Sequence, residues 1–227
     1  MLPKPTRPKK TFLRNCKGVA GNFNMLIPTT DWRRLGVFVL EYSGGDSMSR
    51  VFNWLLQREK RVFLWINGRL HHKFLNFILY YITHLGGATL TICITSVLAI
   101  LAPHPWNRVG LQSLIALGLS HIPVAIIKKL YPRIRPHLAH PQTNTFRKPL
   151  VDHSFPSGHS TAIFSMLVPM MIQFPALTIV LLPLALIVAL SRIYLGLHYP
   201  SDCFAGAFIG TLFAVISVSC WPASILS

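Results

Sequence analysis

Hydrophobic residues gather in the second half of the chain, in long runs at 86–103, 109–127, 159–174, 176–195 and 203–225. Each run approaches the roughly 20 apolar residues that carry a helix across a bilayer, so the pattern predicts five spanning helices. Pro175 separates the third run from the fourth and predicts a tight turn. Upstream, residues 47–68 place Val51, Leu55, Val62 and Ile66 at helical spacing, with Arg50, Arg58 and Lys60 among them, which predicts an amphipathic helix. Trp54 and Trp65 suit a membrane–water interface. A short apolar segment at 73–84 follows Arg69, His71, His72 and Lys73, and these polar residues favour helices lying in the interface over a span. Residues 1–30 are basic and Pro-containing, read either as a flexible tail that seeks a lipid surface or as one that only sets topology. The pattern as a whole predicts an all-α, multi-pass transmembrane helix bundle of about five spanning helices plus N-terminal interfacial helices. Its parts are a tail (1–30), amphipathic or interfacial helices (31–84) and a membrane domain (85–227).

Composition sharpens this picture. Hydrophobic residues make up 52% of the 227, too many for an ordinary soluble domain. Lys and Arg number 22 against 6 Asp and Glu, a net charge of +16. In a soluble chain that excess would suggest nucleic acid; beside these apolar runs it points to an anionic membrane surface or substrate, and no nucleic-acid motif competes. Beyond position 61 the acidic residues are only Asp152 and Asp202, too few to build a two-metal site. No metal and no cofactor is expected, and any phosphate chemistry must rest on fixed Lys and Arg charges. Cys16, Cys93, Cys203 and Cys220 show no metal-ligand spacing, and the three in or beside apolar runs read as small packing residues. The first apolar stretch comes late and is short, so no cleavable signal peptide is expected.

The longest polar gap, 128–158, lies between the second and third predicted spans, and a second gap with Arg192, His198 and Asp202 lies between the fourth and fifth. Counting passes puts both on one side of the membrane. Three segments meet there: Lys128-KLYPRI-Arg135-Pro136, Pro156-Ser157-Gly158-His159, and Ser191-Arg192-IYLGL-His198-YPS-Asp202. Together they resemble the signature of the type 2 phosphatidic acid phosphatase superfamily, which also includes vanadium haloperoxidases: Lys-x6-Arg-Pro, then Pro-Ser-Gly-His, then Ser-Arg-x5-His-x3-Asp. Every specified position matches, in order. At roughly 5% usage per residue type, a chance match is on the order of 10⁻⁸ even with generous placement freedom. The resemblance covers about residues 84–225 and leaves the basic N-terminal third outside.

The residue types fit phosphoryl transfer on their own terms. Fixed cations stabilise the charge on the equatorial oxygens without reorganising, and Lys128, Arg135 and Arg192 can supply them, Arg bidentately. Ser157 and Gly158 precede an apolar run and so open a helix, where free backbone N–H groups bind anions. The resemblance implies that His198 attacks phosphorus to form a phosphohistidine and that Asp202 bonds its other ring nitrogen. It also implies that His159 protonates the leaving oxygen and later activates water. Pro200 suits the first turn of a helix, which places Asp202 one turn in, near His198.

Blander readings hold for other residues. Lys129, Arg133, Arg147 and Lys148 read as topology anchors, and Asp152 as a neutraliser of nearby cations. His71, His72, His84, His104 and His121 read as interfacial residues, and His137, His140 and His153 as residues of the polar gap. The function implied is hydrolysis of a phospholipid or isoprenoid lipid phosphate or diphosphate in the cell membrane: undecaprenyl diphosphate first, phosphatidic acid or phosphatidylglycerol phosphate next. The alternatives are a non-catalytic membrane binding protein that keeps the fold and a vanadate-dependent haloperoxidase. Two readings of the site's side stand at this stage. The 14 Lys and Arg residues up to Lys73 place it in the cytoplasm if residues 31–84 do not span; the resemblance implies the opposite face, which a crossing within 62–84 would allow. Oligomeric state is not legible.

Overall fold

The computed structural model describes residues 47–145 and 152–220. The basic tail 1–30, Arg147 and Lys148 lie outside the described residues. The chain divides into two compact units, Met1–Leu56 and Gln57–Ser227. Among the described residues all regular structure is helical: α1 (Ser47–Arg69), α2 (Lys73–Thr83), α3 (Ala88–Leu101), α4 (Trp106–Leu130), α5 (Pro136–Ala139), α6 (Gly158–Gln173), α7 (Thr178–Tyr194) and α8 (Pro200–Ser219). Short 3-10 turns at His84–Gly86 and Pro175–Leu177 join α2 to α3 and α6 to α7, the second at the proline that predicts a turn.

Helix α4, the segment Pro175–Tyr194 that contains α7, and α8 are each long and apolar enough to cross a bilayer. Two of the five predicted spans take a different form. Helix α3 has 14 residues, ~21 Å at the helical rise, and falls short of the ~30 Å hydrocarbon core. It reaches spanning length only with Lys73–Gly86, in a pair bent by 52°. Helix α6 has 16 residues, ~24 Å. It packs against α3, α4, α7 and α8, and every residue from Ser160 to Met170 is buried. A helix enclosed by its neighbours need not match the lipid thickness by itself.

The segment 73–84, expected in the interface, joins the bundle. Asn76, Leu79 and Thr83 are buried against α7, and the Tyr194 hydroxyl donates to Asn76 Oδ1 at 2.6 Å and accepts from the His72 N–H at 3.0 Å. In α1, Phe63, Ile66 and Asn67 face inward while Val62 and Trp65 stay exposed. The apolar stripe legible in the sequence therefore splits between a bundle face and an outward face. The central core is Val109, Ala116, Ile163, Leu167, Val188 and Ala214.

Apolar side chains gain little by association in lipid, so close backbone approach and interhelical hydrogen bonds carry more of the work. Helix α8 shows both. A Cβ on Gly206 would collide with the Ser157 carbonyl oxygen, and one on Gly210 would stand 2.5 Å from that of Thr161. Only glycine lets α8 come this near α6. Ser113 Oγ donates to the Met166 carbonyl at 2.9 Å, and Ser217 Oγ to that of Gln112 at 2.9 Å.

Candidate active site

The C-termini of α4 and α7 and the N-termini of α6 and α8 meet at one end of the bundle, as the alternating helix directions require. There the structure places Lys128, Arg135, Ser157, Gly158, His159, Arg192, His198 and Asp202. The turn after α7 sets the centre. Gly196 adopts φ +76°, a region open chiefly to glycine, and the Leu197 and His198 N–H groups both donate to the Arg192 carbonyl, at 3.0 and 3.2 Å. Asn67 of α1 clips the turn: its Nδ2 donates to the Asn144 and Tyr194 carbonyls, each at 2.8 Å, and its Oδ1 accepts the Asn144 N–H at 2.8 Å.

His198 is 2% exposed. Its Nε2 lies 3.2 Å from Arg135 Nη1. A guanidinium only donates, so Nε2 is the acceptor and Nδ1 carries the hydrogen. Nδ1 faces Asp202 Oδ2 at 3.6 Å, an electrostatic rather than a hydrogen-bonding distance. Burial holds the ring well below its ordinary value, at about 4; Asp202 opposes this and the charges of Arg192 and Arg135 reinforce it. The ring is therefore neutral at pH 7, with its Nε2 lone pair turned toward Arg135. Asp202 is fully buried and accepts the Tyr199 N–H at 2.8 Å, while its carbonyl accepts the Ser157 N–H at 2.9 Å.

The cations are held by name. Arg135, 1% exposed, donates from Nε to the Asp152 carbonyl at 2.9 Å, from Nη1 to the Leu197 carbonyl at 2.9 Å and from Nη2 to Asp152 Oδ1 at 2.5 Å. Lys128 pairs with the other Asp152 oxygen at 2.9 Å, so one carboxylate ties both cations. Burial pushes that carboxyl up, but the Lys128 hydrogen bond and the Arg135 charge outweigh it and hold it at about 2. Arg192 is buried and donates to Thr83 Oγ1 at 3.0 Å. Its Nε has no hydrogen-bond partner among the described residues.

Ser157 caps α6, its Oγ accepting the Ser160 N–H at 3.4 Å, which leaves its own hydroxyl hydrogen to donate. A Cβ on Gly158 would meet nothing within 4 Å, so the first turn of α6 opens onto free space where an anion could approach the backbone. His159, next along, is half-buried and within electrostatic reach of Arg192, His198, His84 and Arg135.

Three further residues belong to this constellation although sequence reasoning assigns them no role. Arg133, read as a topology anchor, donates from Nη1 to Asp202 Oδ1 at 2.6 Å and from Nη2 to Glu59 Oε2 at 2.7 Å. Glu59 reaches the site from α1, and Thr83 from α2. The rarity of carboxylates was the available signal for Glu59; Thr83 carried none. His137 and His140 flank the loop: His137 Nδ1 lies 3.3 Å from the Gly196 carbonyl, and His140 meets the Tyr199 ring edge-on. Burial lowers both histidines.

The pattern of the PAP2 superfamily matches residues 110–226. The chain is 32% identical over 117 residues to BcrC of Bacillus licheniformis, named a bacitracin transport permease protein, a match covering 52% of this chain and 57% of that one. It thus spans little more than half the length of this relative. It is also 26% identical over 146 residues to an undecaprenyl-diphosphatase of Sulfolobus acidocaldarius, covering 63% of this chain and 69% of that one. Among solved structures, Aquifex aeolicus LpxE superposes with a TM-score of 0.64 at 25% identity, over 70% of this chain and 93% of that one. With more than half of its length matched by the family pattern, in the region that holds all three signature segments bar none, this membrane protein belongs to the PAP2 superfamily.

Proposed function

We propose that this chain is a lipid phosphatase that cleaves a phosphate or diphosphate monoester at the membrane surface through a phosphohistidine on His198. The observation that carries the reading is a neutral, buried imidazole whose Nε2 lone pair faces Arg135 while Nδ1 faces Asp202. In the first step Nε2 attacks phosphorus, the bond from phosphorus to the leaving oxygen breaks, and His159 gives that oxygen a proton. The imidazolium so formed keeps its Nδ1 hydrogen toward Asp202. Lys128, Arg135, Arg192, the Ser157 hydroxyl and the N–H groups at Gly158 neutralise the equatorial oxygens. In the second step His159 takes a proton from water, the oxygen attacks phosphorus, the P–N bond breaks, and inorganic phosphate leaves. No step calls for a metal.

Undecaprenyl diphosphate is the first substrate to test, because a relative bears that activity in its name; phosphatidic acid and phosphatidylglycerol phosphate follow. The site belongs to the cell membrane, where these lipids lie, and Glu59 of α1 reaches it. The test is phosphate release by detergent-purified protein from these three lipids, with excess EDTA and a His198→Ala control. Release that survives EDTA and vanishes in the variant supports the mechanism. Release that needs metal, or that persists in the variant, overturns it. Protein that binds these lipids and hydrolyses none of them would favour the binding-protein reading.

A further inference from the structure

The buried carboxylate of Asp202 needs partners that hold it ionised and fix its rotation. One oxygen is oriented by the Tyr199 N–H at 2.8 Å and turned toward His198. The other accepts from Arg133 Nη1 at 2.6 Å, the one cation paired with it among the described residues. Arg133 is itself held by three hydrogen bonds and a ring contact. The same Nη1 donates to Ser201 Oγ at 2.7 Å, Nη2 donates to Glu59 Oε2 at 2.7 Å, and the guanidinium lies 4.2 Å from the centre of the Tyr199 ring. The second oxygen of Glu59 accepts the Ser201 N–H at 2.8 Å, an orphan donor in the first turn of α8.

Resting on the phosphatase reading above, we propose that Arg133 and Glu59 are positioning residues that set the Asp202 carboxylate behind His198, so that α1 helps to orient the nucleophile from outside the signature segments. Arg133 differs from Lys128 and Arg135 in its partner. Its Nη1 donates to Asp202 itself, the carboxylate behind His198, whereas Lys128 and Arg135 donate to the side chain of Asp152, so Arg133 contributes to the placement of Asp202. A lysine keeps the charge but lacks the fork that reaches Asp202 and Glu59 together. The pair also links α1 to α8, since Glu59 bonds Arg133 and the Ser201 N–H at once.

The test uses the full chain in detergent with undecaprenyl diphosphate and phosphatidic acid, and reads kcat, KM and the thermal midpoint of Arg133→Gln, Arg133→Lys, Glu59→Gln and the double variant Glu59→Gln/Arg133→Gln. Arg133→Gln is expected to lower kcat about 10- to 100-fold, the loss seen when the outer partner of a metal-ligating histidine is removed. KM is expected to stay within about twofold, since no substrate contact is removed. Arg133→Lys recovers part of the loss. Glu59→Gln loses less than Arg133→Gln, and the double variant loses less than the product of the two. Wild-type kcat in Arg133→Gln overturns the proposal, as does a loss confined to KM, which would make Arg133 a phosphate ligand. If Arg133→Gln does not fold, wild-type kcat in both Arg133→Lys and Glu59→Gln overturns it instead. His198→Ala separates the two readings: activity surviving in it refutes the phosphatase mechanism, whereas an inactive His198→Ala beside unaltered Arg133 variants refutes only the positioning role.

Discussion

Replacing Arg135 with Lys separates charge from geometry at the point where they matter most. The arginine spreads its donors over the Asp152 carbonyl, Asp152 Oδ1 and the Leu197 carbonyl, and the Nη1 that bonds Leu197 is also the one 3.2 Å from His198 Nε2. Lysine has a single ammonium on a flexible stem. If it pairs with Asp152 it no longer reaches the His198 side, and if it reaches there it leaves the Asp152 carbonyl and a carboxylate oxygen short of a donor. The catalytic loss is that of one preorganised donor at the developing charge, about 2.7–4 kcal/mol or 10²- to 10³-fold in kcat. The assay is steady-state hydrolysis of undecaprenyl diphosphate in mixed micelles, with folded protein quantified by its thermal transition. A variant within about threefold of wild type would show that charge alone suffices and would refute the geometric argument.

Other consequences are open to direct measurement. Asn67→Ala removes three side-chain hydrogen bonds to Asn144 and Tyr194; at ~1 kcal/mol each it should cost about 3 kcal/mol, read as a lower thermal midpoint, and an unchanged midpoint would contradict the clip. Gly210→Ala puts a methyl 2.5 Å from the Thr161 carbonyl oxygen and 3.0 Å from Phe164 Cβ; separating α8 from α6 should cost about 1–3 kcal/mol, and a more stable variant would refute the close approach. His198 titrates at about 4, below its ordinary 6.5, so its neutral form prevails above that value. The acid limb of kcat/KM that belongs to it should lie near pH 4, with substrate ionisation titrated separately, and a His198-dependent limb at 6 to 7 would contradict its burial.

The parts legible in the sequence were those written in short-range patterns. Apolar runs marked the helices, Pro175 marked the turn, and three spaced segments named residues that the fold brings to one end of the bundle. What stayed hidden depends on tertiary packing. Arg133 reads like any cation beside a span, because nothing local shows that Asp202, 69 positions away in sequence, accepts from it. The place of 73–84 in the bundle rests on Tyr194, 118 positions from its partner Asn76. The apolar run predicts helix α6 but not its enclosure by four other helices, which is a matter of packing. Asp152, read as a neutraliser, does pair with Lys128 and Arg135, and it does so as a shared tie rather than a diffuse counter-charge.

The central claim is a covalent bond between phosphorus and His198. The most direct measurement is to quench the full chain with lipid substrate carrying a labelled terminal phosphate, then map the label by peptide mass spectrometry at alkaline pH, where phosphohistidine survives. The account predicts label on His198, absent from His198→Ala. Turnover with label on another residue, or with no protein-bound label in any variant, would contradict it.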